Sequence, residues 1–255
     1  MSELQVWWQN LAADVQMWWT DFQDTFYRCF IQDDRWNFLT RGLGNTLLIT
    51  LFALIIGVAL GVVVAIIRSS YDKNAQEMRP GFGKAILSIL NSICKVYLTV
   101  IRGTPVVVQL LLGVFVFFIF MGDITVACIV FGVNSGAYVA EIVRSGIMSI
   151  DNGQFEAGRS LGFNYVQTMR HIILPQAFKN VLPSLANEFI VLIKETSVAG
   201  YAGVIDLTKG GEIIRGRTFE AFMPLIAVAL IYLALVLFFT YLIGKLERRL
   251  RSSER

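Results

Sequence analysis

Residues 46–67 read TLLITLFALIIGVALGVVVAII, 22 positions without a charge, closed by Arg68. A helix gains about 1.5 Å per residue, so roughly 20 apolar residues cross the hydrocarbon core of a bilayer. This stretch is expected to be a transmembrane helix, and it settles the class of protein. Residues 221–244 give a second uncharged run, stopped by Lys245. Composition agrees: 55% of the 255 residues are hydrophobic and 16% charged, against about 25% charged in a soluble domain. A disordered chain, a disulfide scaffold and an ordinary soluble enzyme are excluded. The net charge of +3 is small and its basic residues are spread over many loops, so nucleic acid is a poor partner. Cys29, Cys94 and Cys128 show neither an even count nor metal-ligand spacing, and they read as buried thiols. The first basic residue is Arg28, so no cleaved secretory signal is expected.

Three further spans are weaker. Residues 103–122 contain Gln109 as their most polar member, and 124–140 continue through Glu141 to about 147. Residues 181–205 carry Glu188, Lys194 and Glu195. The stretch 85–101 is amphipathic, with Ser88, Asn91 and Lys95 at helical spacing, and Arg102 and Pro105 interrupt it. It reads as the inner, partly interfacial half of a long bent second helix. The expected fold is an all-α integral membrane protein with about five transmembrane helices. With that count, 15 of the 22 basic residues fall on one face, including Lys245, Arg248, Arg249, Arg251 and Arg255. The Lys/Arg bias makes that face cytoplasmic, which puts the N-terminus outside.

Residues 1–40 form a separate segment. Leu4, Trp7, Leu11, Val15, Trp18, Phe22 and Phe26 recur every three or four residues, opposite Asp14, Asp21 and Asp24. This predicts an amphipathic, Trp-rich helix on the outer face, lying in the membrane interface or packed on the protein's own surface.

The functional signal lies between the third and fourth spans. Glu156, Ala157 and Gly158 are followed by Gly162, and then by Ile172, Leu174 and Pro175. Gly162 can take positive φ and end a short helix, and Pro175 should keep a following helix from running on unbroken. Two short helices with a turn, projecting from the membrane, are expected over about 150–183. This pattern resembles the EAA loop of ABC importer permeases (E-A-A-x3-G-x9-I-x-L-P), with Gly158 in place of the third residue. Arg102-Gly103-Thr104-Pro105 and Asn134 to Glu141 resemble signatures of the polar amino-acid branch of that family. The resemblance covers most of 41–255 and implies the type I ABC importer permease fold. It also implies that Glu156, Ala157, Gly158, Gly162, Ile172, Leu174 and Pro175 couple the chain to an ATPase. No G-x4-G-K-[ST] phosphate loop is present: Gly83-Lys84 is followed by Ala and lacks the upstream Gly. ATP and Mg are thus expected on a separate ATP-binding subunit and no cofactor on this chain.

Ionisable groups inside spans are costly and point to function. Glu188 and Glu195 share one face of the fourth span, with Lys194 about 100° away. Asn134, Tyr138 and Glu141 share a face of the third, and Thr99, Thr104 and Gln109 add polar groups to the second. These faces are expected to surround an aqueous path. The resemblance places Glu195, Thr196 and Ser197 on the substrate path, where Glu195 would attract an α-ammonium or a cationic side chain. Some relatives carry a second acid at the position of Thr99, and its absence here weakens the case for a dibasic substrate such as arginine. His171, the sole histidine, reads as a surface residue.

The expected protein is the membrane subunit of an ATP-driven importer for polar amino acids, working by alternating access in the bacterial inner membrane. Its implied partners are an ATPase dimer, a second permease subunit (identical or similar), an extracytoplasmic solute-binding protein, the amino acid and the bilayer. An ion-gradient-driven secondary transporter would use Glu188 and Glu195 as a relay but leaves the loop unexplained. A membrane-embedded enzyme lacks a readable nucleophile–base pair or metal cluster.

Overall fold

A computed structural model of the chain describes residues 3–74 and 81–252. It is helical throughout. α1 (Glu3–Phe26) leads through a π turn (Tyr27–Ile31) and a 3₁₀ turn (Gln32–Asp34) into α2 (Trp36–Asn74). α3 (Phe82–Gly103) and α4 (Val106–Leu112) follow, and a π turn at Gly113–Phe117 ends α4. α5 (Asp123–Met148) precedes the short α6 (Asn152–Ser160) and α7 (Tyr165–Thr168), and then α8 (Leu174–Glu195). A 3₁₀ segment (Thr196–Ala202), α9 (Leu207–Thr218) and α10 (Phe222–Ser252) complete the chain.

The centre is the pair α2 and α5, which run parallel. Gly57 and Gly61 of α2 and Gly132 and Gly136 of α5 are each spaced by four, so each pair presents one small-residue face. The two faces meet. A Cβ at Gly61 would stand 2.6 Å from Val139 Cγ1, one at Gly57 2.9 Å from Ser135 Oγ, and one at Gly132 2.7 Å from Ile56. Lipid tails are as apolar as these side chains, so span association depends on close van der Waals approach, which small residues allow. The result is that α5 is the most enclosed of the four long apolar helices, and α10 the least.

α8 runs antiparallel to α5 along its whole length. Val181 fills the space over Gly146, Glu188 meets Ser135, and Leu192 joins the cluster of Val126, Ala127 and Phe131. α8 therefore covers the same depth as α5 although it carries charges. Pro183 sits inside it.

The second crossing is broken as well as bent. α3 ends at Gly103, Thr104 and Pro105 are extended, and α4 resumes at Val106. Cys94 and Leu98 pack with Val64, Ala137 and Ala140, whereas Leu110 and Val114 pack with Ile49, Ala53 and Val130. The two halves thus lie at successive levels of the α2–α5 pair. Among the described residues α2, α3, α5 and α10 are each long and apolar enough to cross a membrane. α4 and the π turn continue α3 as a shorter apolar segment, and α8 lies beside α5 as a fifth long helix of the bundle.

α1 forms as a helix, with Trp7, Trp8, Val15, Trp18 and Trp19 all more than half exposed. Its substantial packing is against the turn that follows it, and not against the spans. Trp19 and Phe22 stack at 5.7 Å, so the aromatic stripe packs mainly on itself. The side chains of Leu4 and Arg251, and all of Arg255, lie outside the described residues.

One expectation needs correction. Pro175 does not interrupt the chain: α7 continues through a π turn at Met169–Ile173 into α8. Proline lacks an N–H and crowds the carbonyl four residues back, and a wider turn immediately before it accommodates both.

The glycine seam predicts that Gly61→Val lowers the thermal stability of the detergent-solubilised protein, by about 1–3 kcal/mol for overpacking. Gly44→Ala, where a Cβ meets nothing within 4 Å, is expected to leave the melting temperature unchanged or slightly raised. Equal melting temperatures for Gly61→Val and wild type would contradict the role given to the seam.

Candidate functional site: a projecting corner and a polar interior

The corner begins at Asp151, whose carboxylate accepts from Gly153 N at 2.6 Å and caps α6. At the far end, Phe163 N donates to Gly158 O at 3.0 Å and Gly162 N to Arg159 O at 2.9 Å. That double closure needs a left-handed residue, and Gly162 supplies φ +79°. Asn164 and Gln167 then cap α7 reciprocally, both bonds at 2.9 Å. The turn is thus specified residue by residue.

Two contacts tie this corner to the spans. Phe155 is buried in a cluster with Ala65, Val143, Ile147, Met169 and Ile173. Gly158 lies against Thr168, where a Cβ would stand 2.6 Å from both Cγ2 and Oγ1. This explains the glycine at the third motif position: α6 approaches α7 too closely for a methyl group. Glu156, Ala157 and Gly162 are exposed on the outer side of the corner, as are Arg170 and Pro175. Ile172 and Leu174 pack inward, beside the Phe155 cluster. Leu161 and Val166, each 69% exposed, flank Gly162. Apolar side chains beside a helix-ending glycine ordinarily pack within the cap, so the sequence does not mark these two as exposed. His171 is exposed, its ring 6.1 Å from Phe163.

The polar residues inside the bundle fall into separate groups. Gln109 closes the gap between α3 and α4: its Nε2 donates to Ile101 O at 2.8 Å and to Thr104 Oγ1 at 2.8 Å. Its Oε1 accepts from Asn134 Nδ2 at 3.1 Å, and Tyr97 donates to Val133 O at 2.6 Å. Asn134, Gln109 and Thr104 therefore meet, and they satisfy backbone groups that the Thr104–Pro105 break leaves open.

Thr99 and Glu141 meet in a second group. They line a groove of about 450 Å³ together with Arg68, Lys95 and Arg102. Glu141 lies 3.9 Å from Arg102 and 3.4 Å from Arg144, and Arg144 reaches Asp72 at 3.3 Å. Tyr138 sits under the Arg102 guanidinium, 5.6 Å away. This ladder of charges links α2, α3 and α5. Arg144 and Asp72 were not legible as members of a site, and Arg102 was so only through its motif, since their pairing depends on three distant segments.

The third group is on α8. Glu188 is buried and accepts from Ser135 Oγ at 2.8 Å. Ser135 was quoted in the α5 motif, but nothing in the sequence marks it as a partner 53 residues away. Glu195 Oε2 is buried with no hydrogen bond among the described residues. Lys194, its neighbour, is exposed. Thr196 is fully buried and donates to Ile193 O at 2.8 Å. Ser197 borders a groove of about 510 Å³ with Tyr201, Lys209 and Glu212, at the end of the bundle opposite the corner.

Residues 81–252 match the family described as "Binding-protein-dependent transport system inner membrane component". An arginine transport system permease protein of Bacillus subtilis is 36% identical over 221 residues, covering 85% of this chain and 94% of that protein. The glutamine transport system permease protein of Escherichia coli is 36% identical over 208 residues, covering 79% and 90%. A solved amino acid ABC transporter with histidines superimposes with a TM-score of 0.73 at 38% identity, covering 84% of this chain and 94% of that one. The inward-facing methionine transporter MetNI gives 0.72 at 20% identity, over 86% and 99%, a likeness of fold.

The corner generates a paired prediction. Gly158→Ala forces α6 off Thr168 and is expected to cost about 1–3 kcal/mol, read as faster limited proteolysis across 156–168. Adding Thr168→Ala removes both opposing atoms and should restore resistance. Unchanged proteolysis of the single variant would contradict the close approach.

Proposed function

The chain belongs to the family of inner-membrane components of binding-protein-dependent transport systems, and from that premise we propose that it is the permease subunit of an ATP-driven importer for polar amino acids of the glutamine, arginine and histidine type. It works in the inner membrane with an ATPase and a binding protein. Two permease subunits, identical or similar, enclose the path. The ATPase dimer binds ATP and Mg and docks on the cytoplasmic side, and the solute-binding protein delivers the amino acid from outside. The Lys/Arg bias supports a cytoplasmic C-terminal tail, and five crossings then leave α1 at the outer interface.

The observation that carries this reading is the exposed α6–Gly162–α7 corner, whose buried root, Phe155, packs on the same spans that form the glycine seam. A docked ATPase that moves the corner moves α2 and α5 with it. The break at Thr104–Pro105 provides a joint at which the second crossing can change direction while Gln109 keeps its backbone groups satisfied. ATP binding and hydrolysis bias the subunit pair between outward-open and inward-open states.

Along the path, the Glu195 oxygen that has no partner among the described residues supports a role in receiving an ammonium group. Glu188, already bonded to Ser135, holds α8 against α5 and sets the height of Glu195 two helical turns further on. A secondary transporter would use the same carboxylates, but it has no task for a capped, exposed corner.

Uptake into proteoliposomes containing the permease, the ATPase and the binding protein tests the reading. Accumulation should require ATP and survive ionophores that collapse proton and sodium gradients. Glu195→Gln is expected to lower uptake by about tenfold or more, the loss of a charge-assisted hydrogen bond, with the ATPase still bound. Uptake that follows an ion gradient, or a Glu195→Gln protein that transports normally, would contradict it.

A further inference from the structure

Beside the corner, where the last turn of α2 reaches it, lies a cleft of about 490 Å³ lined by Lys73, Phe155, Glu156, Arg159, Tyr165 and Thr168. Its charges are unbalanced. Lys73 Nζ stands 3.5 Å over the Phe155 ring and forms no ion pair among the described residues. Arg159 likewise has none, and Glu156 is the single acid on the wall among the described residues. Tyr165 and Thr168 also line it, and their hydroxyl oxygens are buried with no hydrogen-bond partner among the described residues.

We propose that this cleft is a socket for a carboxylate side chain, Asp or Glu, of the ATPase subunit, an inference that rests on the ATP-driven reading above. The chemistry matches on each side. A carboxylate takes charge-assisted hydrogen bonds from the Lys73 ammonium and the Arg159 guanidinium. The cleft adjoins the exposed corner, so one docking event engages both. Its position also has a consequence for coupling. Lys73 belongs to α2 and Arg159 to α6, so an inserted carboxylate ties the corner directly to a seam helix. The ATPase then pulls on α2 through two connections, the Phe155 root and the bridging carboxylate.

The test uses the permease in nanodiscs of zwitterionic lipid with the purified ATPase subunit. Zero-length carbodiimide cross-linking joins an amine to a carboxylate in contact with it. The expected product is a peptide pair containing Lys73 and one acidic residue of the ATPase. Lys73→Gln and Arg159→Gln should each weaken ATPase binding about tenfold and flatten its dependence on salt, while Lys73→Arg binds nearly as wild type. Matching melting temperatures of the variants separate this from loss of fold. Cross-linking of Lys73 only to an acid of its own chain, equal ATPase affinity of Lys73→Gln and wild type, or ATPase binding that depends on added anionic lipid would each overturn the socket. Failure of the wild-type permease to bind the ATPase at all would overturn the ATP-driven reading together with it.

Discussion

The architecture depends on the close approach of α2 and α5. In a bilayer there is little gain from hiding apolar side chains from lipid, so two spans stay together because their surfaces fit. Here the fit is made by Gly57, Gly61, Gly132 and Gly136, with Ser135 and Val139 filling the facing spaces. Other crossings pack on that pair. α8 lies along α5 in the opposite direction, held at mid-depth by Ser135 and Glu188. The broken second crossing lies across both seam helices at two levels. The same device recurs where α2 meets α9, since a side chain at Gly42 would collide with the Asp206 carbonyl and one at Gly210 with that of Phe38.

Against this rigid pair, the polar groups are placed where backbone or charge would otherwise be left unsatisfied. Gln109 serves a helix break. The ladder Asp72–Arg144–Glu141–Arg102 neutralises charges at the end of the bundle near the corner. Its members are about a third to a half exposed, so solvent screens them and each pair contributes modestly. Glu195 Oε2 is the exception, a buried carboxylate oxygen with no partner among the described residues.

Much of the fold was legible because membrane spans write themselves as uncharged runs: 46–67 lies within α2, and 221–244 falls within α10 except for its first residue. The end of α6 was legible for a local reason, that Gly162 can take a left-handed conformation. Pro175 shows the limit of local rules. The missing N–H was read correctly, but the chain absorbs it in a π turn that no single residue announces. Long-range pairing was illegible in principle. Ser135 finds Glu188, and Arg144 finds Asp72, only after the seam has fixed the helices in register. The seam itself was readable, since Gly57-Val-Ala-Leu-Gly61 and Gly132-Val-Asn-Ser-Gly136 stand openly in the sequence, but it was not used. Among the substrate-path residues expected together, Asn134, Gln109 and Thr104 form one cluster, Thr99, Glu141 and Tyr138 lie about another, and Glu188 and Glu195 occupy α8. A single chain thus assembles three polar groups rather than one continuous site.

The central claim is that the corner carries work from a separate ATPase into the spans. Its most direct test compares ATPase activity in proteoliposomes between the wild-type permease and Gly162→Pro, each co-purified with the ATPase subunit and checked for equal insertion. Proline cannot adopt the positive φ at this position, so the corner loses its shape while the spans keep theirs. The account predicts that binding protein loaded with amino acid stimulates ATP hydrolysis in the wild-type complex, and that the variant loses the ATPase or its stimulation. Full stimulation of a correctly inserted Gly162→Pro complex would show that coupling runs through some other part of the chain.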